Sequence, residues 1–213
     1  MNIKYDWLEK QGISEEQFNQ FKIWFPDNID TSTVLRRYSN RKQVNFAIYL
    51  VDKLPFNRIS LDLENFEDEN LIYDGNVTIK GNVKLSSNNK IYIKGDLQID
   101  GKLELTDLTC IYAKSVNVKE ICMNSGSKIV ADVVTKKLFM KDYSSIFGNV
   151  ETNKLSMEGN ENGNTIHNAV KAKKIHIDKN SRILGETMAD EIFIKSNVKK
   201  LIENFKAKRI VYV

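Results

Sequence analysis

The chain has 213 residues, with 32 Lys+Arg against 28 Asp+Glu for a formal net charge of +4 at neutral pH. Hydrophobic residues make up 41% and charged residues 28%, which is ordinary for a folded soluble protein. No apolar stretch approaches a membrane span, Met1 leads into polar residues rather than a signal peptide, and the two cysteines, Cys110 and Cys122, make neither a disulfide framework nor a metal site. A cytoplasmic protein is expected.

Residues 1–56 predict an α-helical cap domain. Ser14-Glu15-Glu16-Gln17 is a capping-box pattern. Phe18, Phe21, Trp24 and Phe25 come next at helical spacing, and Pro26 closes the segment. Asp30-Thr31-Ser32-Thr33 offers a second cap before Val34, Leu35 and Tyr38, and Asn40 a third. In the last segment Val44, Ala47, Ile48 and Val51 share one face, while Phe46 and Leu50 make a second, before Leu54-Pro55. Three or four short helices around Trp7, Phe21, Trp24, Phe46 and Leu50 are expected. A bundle this short needs its large side chains to hold itself together, so the aromatic set reads as core rather than as a peptide-binding groove. The expected task of the bundle is to cap the first rung of the repeats C-terminal to it.

Residues 57–70 read as an irregular first rung, with Ile59, Leu61 and Leu63 alternating, and an acidic loop at Glu67-Asp68-Glu69. From about Leu71 a repeat of 17 to 20 residues runs to the end. One site reads Val77, Leu97, Val116, Val133, Val150, Val170, Thr187, Phe205, and another Val83, Leu103, Ile121, Leu138, Leu155, Ile175, Ile192, Ile210. Apolar and polar residues alternate at period two, which is strand behaviour. Several short strands per repeat, with no helical pattern between them, predict a mainly β fold: a right-handed parallel β-helix, or β-solenoid, of about eight rungs over residues 71–213. Both prolines, Pro26 and Pro55, precede it, as a ladder that needs its N–H groups requires.

Glycine and asparagine recur before the second site, as Gly75-Asn76, Gly95-Asp96, Gly148-Asn149 and Gly185-Glu186. They predict one repeated bend that uses positive φ. The inner column shrinks from Ile79 and Ile99 to Ala172, Ala189 and Ala207, so the coil is expected to tighten along its length.

Three surfaces are candidates for function. If Ile72, Ile91, Ile111, Ile129, Ile146, Ile166, Ile183 and Leu201 point inward, their followers point outward. Tyr73, Tyr92, Tyr112, Phe147, Leu184 and Ile202 then form an apolar stripe, covered by the helices, stacked as a ladder, or open to a protein partner. Second, Ile210, Val211, Tyr212 and Val213 lie in a final strand with no cap after it, which predicts self-association, as a tail-to-tail homodimer or a longer stack. Third, residues 164–213 carry 11 Lys+Arg against 5 Asp+Glu. Lys137, Lys154, Lys174 and Arg209 share a corner column broken by Glu191, which offers nucleic acid or another polyanion an alternative site.

Catalytic patterns are absent from the sequence. His167 and His176 are expected outward on different columns, so no enzyme, cofactor or metal is expected. Repeats such as Ile146-Phe147-Gly148-Asn149-Val150-Glu151-Thr152-Asn153-Lys154-Leu155-Ser156-Met157 resemble those of bactofilin-like polymer-forming β-helical proteins. That resemblance covers residues 71–213 and implies a right-handed triangular coil and assembly through its ends. The helical front end departs from it. Compact helix-plus-solenoid chains of this size also resemble accessory proteins of phages and mobile elements, including inhibitors of host defence enzymes. The expectation is a non-enzymatic protein-interaction and assembly module.

Overall fold

A computed structural model describes residues 1–40, 43–159, 163–178, 180–195 and 205–212. The front end holds a two-stranded antiparallel ribbon, β1 (Asn2–Ile3) with β2 (Ile29–Asp30), and four helices among the described residues. They are α1 (Tyr5–Glu9), α2 (Glu15–Trp24), α3 (Thr31–Asn40) and α4 (Val44–Lys53). The capping box at α2 is present, with Ser14 accepting from the Gln17 N–H and Gln17 from the Ser14 N–H. Asp30 opens α3: its carboxylate accepts from the N–H groups of Ser32 (3.3 Å) and Thr33 (2.8 Å) and from both hydroxyls. Burial alone would raise the Asp30 pKa, but the hydrogen bonds from Thr33 and Ser32 outweigh it and bring it down to about 2. Asn40 does not cap the next helix. α3 runs through it, and Gln43 stands at the head of α4 with no side-chain cap bond.

Tyr38, Phe21, Leu8, Leu35 and Leu50 are fully buried in one core, with Trp7, Trp24 and Phe46 half-buried around it. The rings of Phe21, Trp24, Phe25 and Phe46 all lie within 6.5 Å of Tyr38. The aromatic set is therefore a core, at the size where large side chains have to supply the stability.

The rest of the chain is a parallel β-solenoid of about eight turns. The first turn is β3 (Asn57–Leu63), β4 (Phe66–Glu67) and β5 (Leu71–Tyr73); the second is β6 (Gly75–Ile79), β7 (Val83–Leu85) and β8 (Lys90–Ile93). Beyond these the strands run around corners: β9 (Asp96–Leu105), β10 (Cys110–Met123), β11 (Lys128–Lys141), β12 (Ser145–Ile146), β13 (Val150–Glu158), β14 (Thr165–Ile166), β15 (Val170–Ile177), β16 (Arg182–Ile183), β17 (Thr187–Ile194) and β18 (Phe205–Tyr212). They form three faces. On the first face the order is β3-β6-β9-β10-β11-β13-β15-β17-β18, and every inter-turn pairing in the coil is parallel. The second face starts with β4 and β7 and continues on the later halves of the long strands; the third runs β5-β8-β10-β11-β12-β14-β16. Inward columns such as Val116, Val133 and Val150, or Ile121, Leu138 and Leu155, are almost wholly buried. Each turn covers the apolar row of the one before it.

Pairing is irregular at the start, as the sequence suggests. The register shifts between Asn57 and Leu61, and Ile59 is 74% exposed while Leu61 and Leu63 turn toward the core. The glycine corner lies where expected, between the third and first faces, but its cause differs. Gly75, Gly95, Gly148 and Gly185 do not have positive φ. A Cβ at Gly148 would overlap the Ala131 carbonyl of the preceding turn, and one at Gly95 would meet Asn76 Oδ1 and the Gly75 carbonyl. Close approach of stacked backbones, not torsion, demands glycine there. Its Asn and Asp partners accept from the adjacent turn: Asn76 from the Asp96 N–H (2.9 Å) and Asp132 from the Asn149 N–H (2.8 Å).

Positive φ occurs instead at the corner between the second and third faces, in Ser87-Asn88, Asp107-Leu108, Ser125-Gly126, Asp142-Tyr143 and Asn180. After the later bends the next residue turns inside, whereas Asn89, after the first, is half-buried. Thr109, Ser127, Ser144 and Ser181, with Asn164, form a polar column without solvent exposure. The Asn164 amide donates to the carbonyls of Glu158 (2.8 Å) and Met140 (3.2 Å), and Asn164 Oδ1 accepts from the Ser144 N–H at 3.1 Å. Ser144 likewise donates to the Lys141 carbonyl at 2.6 Å, so these two side chains meet carbonyls at the bend, while the buried Thr109 hydroxyl has no partner among the described residues.

Candidate interaction surfaces

The helices meet the coil on its third face. α3 and α4 pack on β5, and α4 also on β8, at the side of the coil. Among the described residues β3 and β4 each pair with one strand only, β6 and β7. Three groups fasten the helices to the third face. Ile72 is buried in the helical core, and Tyr92 lies at its border, its hydroxyl donating to Asp52 Oδ1 at 2.5 Å. Burial and that bond push the Tyr92 pKa up to about 12. Lys94 Nζ donates to the Asp52 carbonyl (3.2 Å) and to the Leu54 carbonyl at the α4 C-terminus, where a cation suits the exposed carbonyls.

This docking overturns one expected position. β5 pairs with β8 so that Leu71 lies opposite Ile91, Ile72 opposite Tyr92 and Tyr73 opposite Ile93. Tyr73 therefore points into the coil, 7% exposed, its hydroxyl donating to the Ile59 carbonyl (2.8 Å) and accepting from Asn57 (3.0 Å). The helices give the outer side of β5 an apolar neighbour, so Ile72 faces out without meeting water.

From Tyr112 onward the stripe is outward and laddered. Tyr112 lies 5.6 Å from Tyr92 at a tilt of 37°, and Phe147 stacks 3.8 Å from the His167 ring with Lys128 Nζ 4.3 Å from the Phe147 centre. Phe147 is 38% and Leu184 52% exposed; Ile202 lies outside the described residues. Beside the stripe, Leu108 and Tyr143 stand exposed on left-handed backbone, with Gly126 between them. A Cβ on Gly126 would lie 2.7 Å from Leu108 and 2.9 Å from Tyr143. Bulky residues seldom hold this conformation on a surface. The recurrence Asp-Leu-Thr, Ser-Gly-Ser, Asp-Tyr-Ser at residues 107–109, 125–127 and 142–144 is the sequence signal that would have revealed this corner.

The basic column is largely paired within the coil. Lys137 Nζ lies 3.5 Å from Glu120, Lys174 3.8 Å and Arg209 3.9 Å from Glu191, and Lys154 sits over the Phe139 ring at 5.8 Å. Nearby, where the first and second faces meet, a groove of about 780 Å³ runs along the later turns. Its floor is Thr135, Thr152, Ala172, Ala189 and Ala207; the small residues that end the inner column also dent the wall. Lys171 pairs with Glu151 at 3.1 Å, and Lys208 with Asp190 at 2.7 Å, along this groove.

At the far end, among the described residues, β18 pairs with β17 alone. Ile210, in an inward column, is 38% exposed, Val211 is half-buried and Tyr212 is 56% exposed; Val213 lies outside the described residues.

His176 stacks on Phe193 at 4.7 Å, with its pKa lowered by burial and then by Lys174 and Lys154. His167 belongs to the stripe on another face. Cys110 and Cys122 are free thiols whose pKa values burial raises, which disfavours the reactive thiolate. Among the described residues no three His, Cys, Asp or Glu side chains come together as a metal site, and no helix is long and apolar enough to cross a membrane. No protein-family model matches the chain, and neither the curated proteins nor the solved structures contain a match.

Proposed function

We propose that this protein is a non-enzymatic assembly module, a rigid coil that self-associates through its last described strand and offers its third-face stripe to a protein partner. The observation that carries this reading is the edge of β18, which among the described residues pairs on one side only, with Ile210 and Tyr212 exposed beside it. A strand edge of this kind is a template for another strand. The open part of the stripe, Phe147 and Leu184 with Leu108 and Tyr143 alongside, supports the second half. The likeness of the later repeats to bactofilin-like coils belongs to the same proposal, as do a cytoplasmic setting and a role as a phage or mobile-element accessory protein. Binding of nucleic acid has less support, because Lys137, Lys174 and Arg209 already face acids.

Light scattering of the wild type and of Tyr212→Asp tests the proposal. A wild-type mass above the monomer that falls to the monomer in the variant is expected; equal monomeric masses would overturn it. For the stripe, Phe147→Glu should remove proteins that co-purify from the native cell, and an unchanged set would count against it.

A further inference from the structure

We infer that the contact made by β18 is head-to-tail, onto β3 and β4 of a second copy of this chain. The inference rests on the proposed self-association and specifies its geometry.

The two free edges differ in charge. Residues 57–70 carry Asp62, Glu64, Glu67, Asp68 and Glu69 against Arg58 alone, while β18 carries Lys206, Lys208 and Arg209 and no acid. They also occupy the same two faces. β3 and β4 end the first and second faces, β18 ends both, and the helices sit on the third.

Register then decides which side chains meet. The column that contains Leu61 and Val77 at one end contains Thr187 and Phe205 at the other. The column that contains Phe66 and Val83 ends on Ile192 and Ile210. Adding one more parallel step sets Phe205 against Leu61, Ala207 against Leu63 and Ile210 against Phe66. These are the inward residues that each end leaves half-covered or exposed. The same step sets Lys206 against Asp62 and Lys208 against Glu64.

That alternation is already the rule inside the coil. Among the described residues, all ion pairs but Lys102–Glu104 join neighbouring turns. Lys208 pairs with Asp190 one turn below, and Glu64 with Lys80 one turn above at 2.9 Å. Stacking two copies would therefore extend an acid–base–acid–base series across the junction. A tail-to-tail dimer instead places two β18 edges antiparallel, with Lys206, Lys208 and Arg209 of both copies together. A head-to-tail contact does not close on itself, so it yields open stacks rather than a dimer.

Sedimentation velocity at low salt, over a range of concentrations, tests this with two double variants: Lys206→Glu/Lys208→Glu, which puts acids at positions 62, 64, 206 and 208, and Asp62→Lys/Glu64→Lys, which puts lysines at all four. Circular dichroism checks that each keeps the wild-type β signal. The wild type is expected to give a series of dimer, trimer and higher species, each variant alone a monomer, and their equimolar mixture the series again. The recovery separates loss of contact from loss of fold. If Asp62→Lys/Glu64→Lys still dimerises like the wild type, the head-to-tail geometry is wrong and self-association through β18 stands. A wild type that stays monomeric throughout overturns both.

Discussion

The helical front end and the coil are stabilised in opposite ways. In the helices everything converges: the rings around Tyr38 share one small core, and each large side chain touches several others. In the coil nothing converges. Each turn repeats the same inward residues and the same backbone pairing, and contacts only its neighbours. A converging core is finished once it is built, whereas a stack ends with the same unmet groups it began with. The comparison therefore directs attention to the coil's two ends, and it can be broken by substitution.

The largest effect is expected from Phe21→Ala. It removes a fully buried ring from the helical core, at a cost of about 3–5 kcal/mol. Heating should melt the helical circular dichroism early while the β signal persists; simultaneous loss of both would show that the regions are one cooperative unit. A pair of glycines sharpens the contrast. Gly148→Ala forces a methyl group into the Ala131 carbonyl of the turn below and should cost about 3 kcal/mol. Gly12→Ala, at φ +74° with open space around it, should cost about 1 kcal/mol through torsion alone. Equal effects in urea denaturation would mean that adjacent turns shift apart more readily than the stacked glycines imply.

Asp30→Ala comes next, at about 1 kcal/mol for a lost helix cap. Because the folded Asp30 pKa is depressed to about 2, its contribution is full above the unfolded carboxylate value near 4 and is lost as pH falls from there toward 2. Urea melts of wild type and Asp30→Ala should differ at pH 6 and converge near pH 2; a constant difference would contradict the cap. The smallest effect is expected at Tyr38. Its buried hydroxyl has no hydrogen-bond partner among the described residues, so Tyr38→Phe should leave stability unchanged or slightly raised. A loss above about 1 kcal/mol would show that the hydroxyl is satisfied after all.

Much of the coil was legible because period-two alternation and turn length act together. Most apolar residues that face inward in one turn have an apolar counterpart 17 to 20 residues later, and the later inward columns keep that register. Tyr73 misled because a two-residue period cannot say which side of the first strand is wet; the helices dry its outer side and let Ile72 face them. At the Gly75-type corner the spacing was right and the cause was not, since closeness of stacked backbones leaves the same glycine signature as positive φ. The opposite corner went unread because Leu108 and Tyr143 are not residues that announce left-handed backbone. Asn40 looked like a cap by composition, but a helix that runs through a residue leaves it nothing to cap. Both charged ends were plain in the composition, yet only the register shows that Lys206 and Lys208 align with Asp62 and Glu64.

Covalent capture tests the central claim, that the two ends of the coil are made for each other. In a background where Cys110 and Cys122 are replaced by Ser, the Glu64→Cys/Lys208→Cys variant should give, after mild oxidation, a ladder of dimer, trimer and longer species on a non-reducing gel, with neither cysteine sufficient alone. A monomer band only, or a dimer formed by Lys208→Cys without its partner, would contradict it.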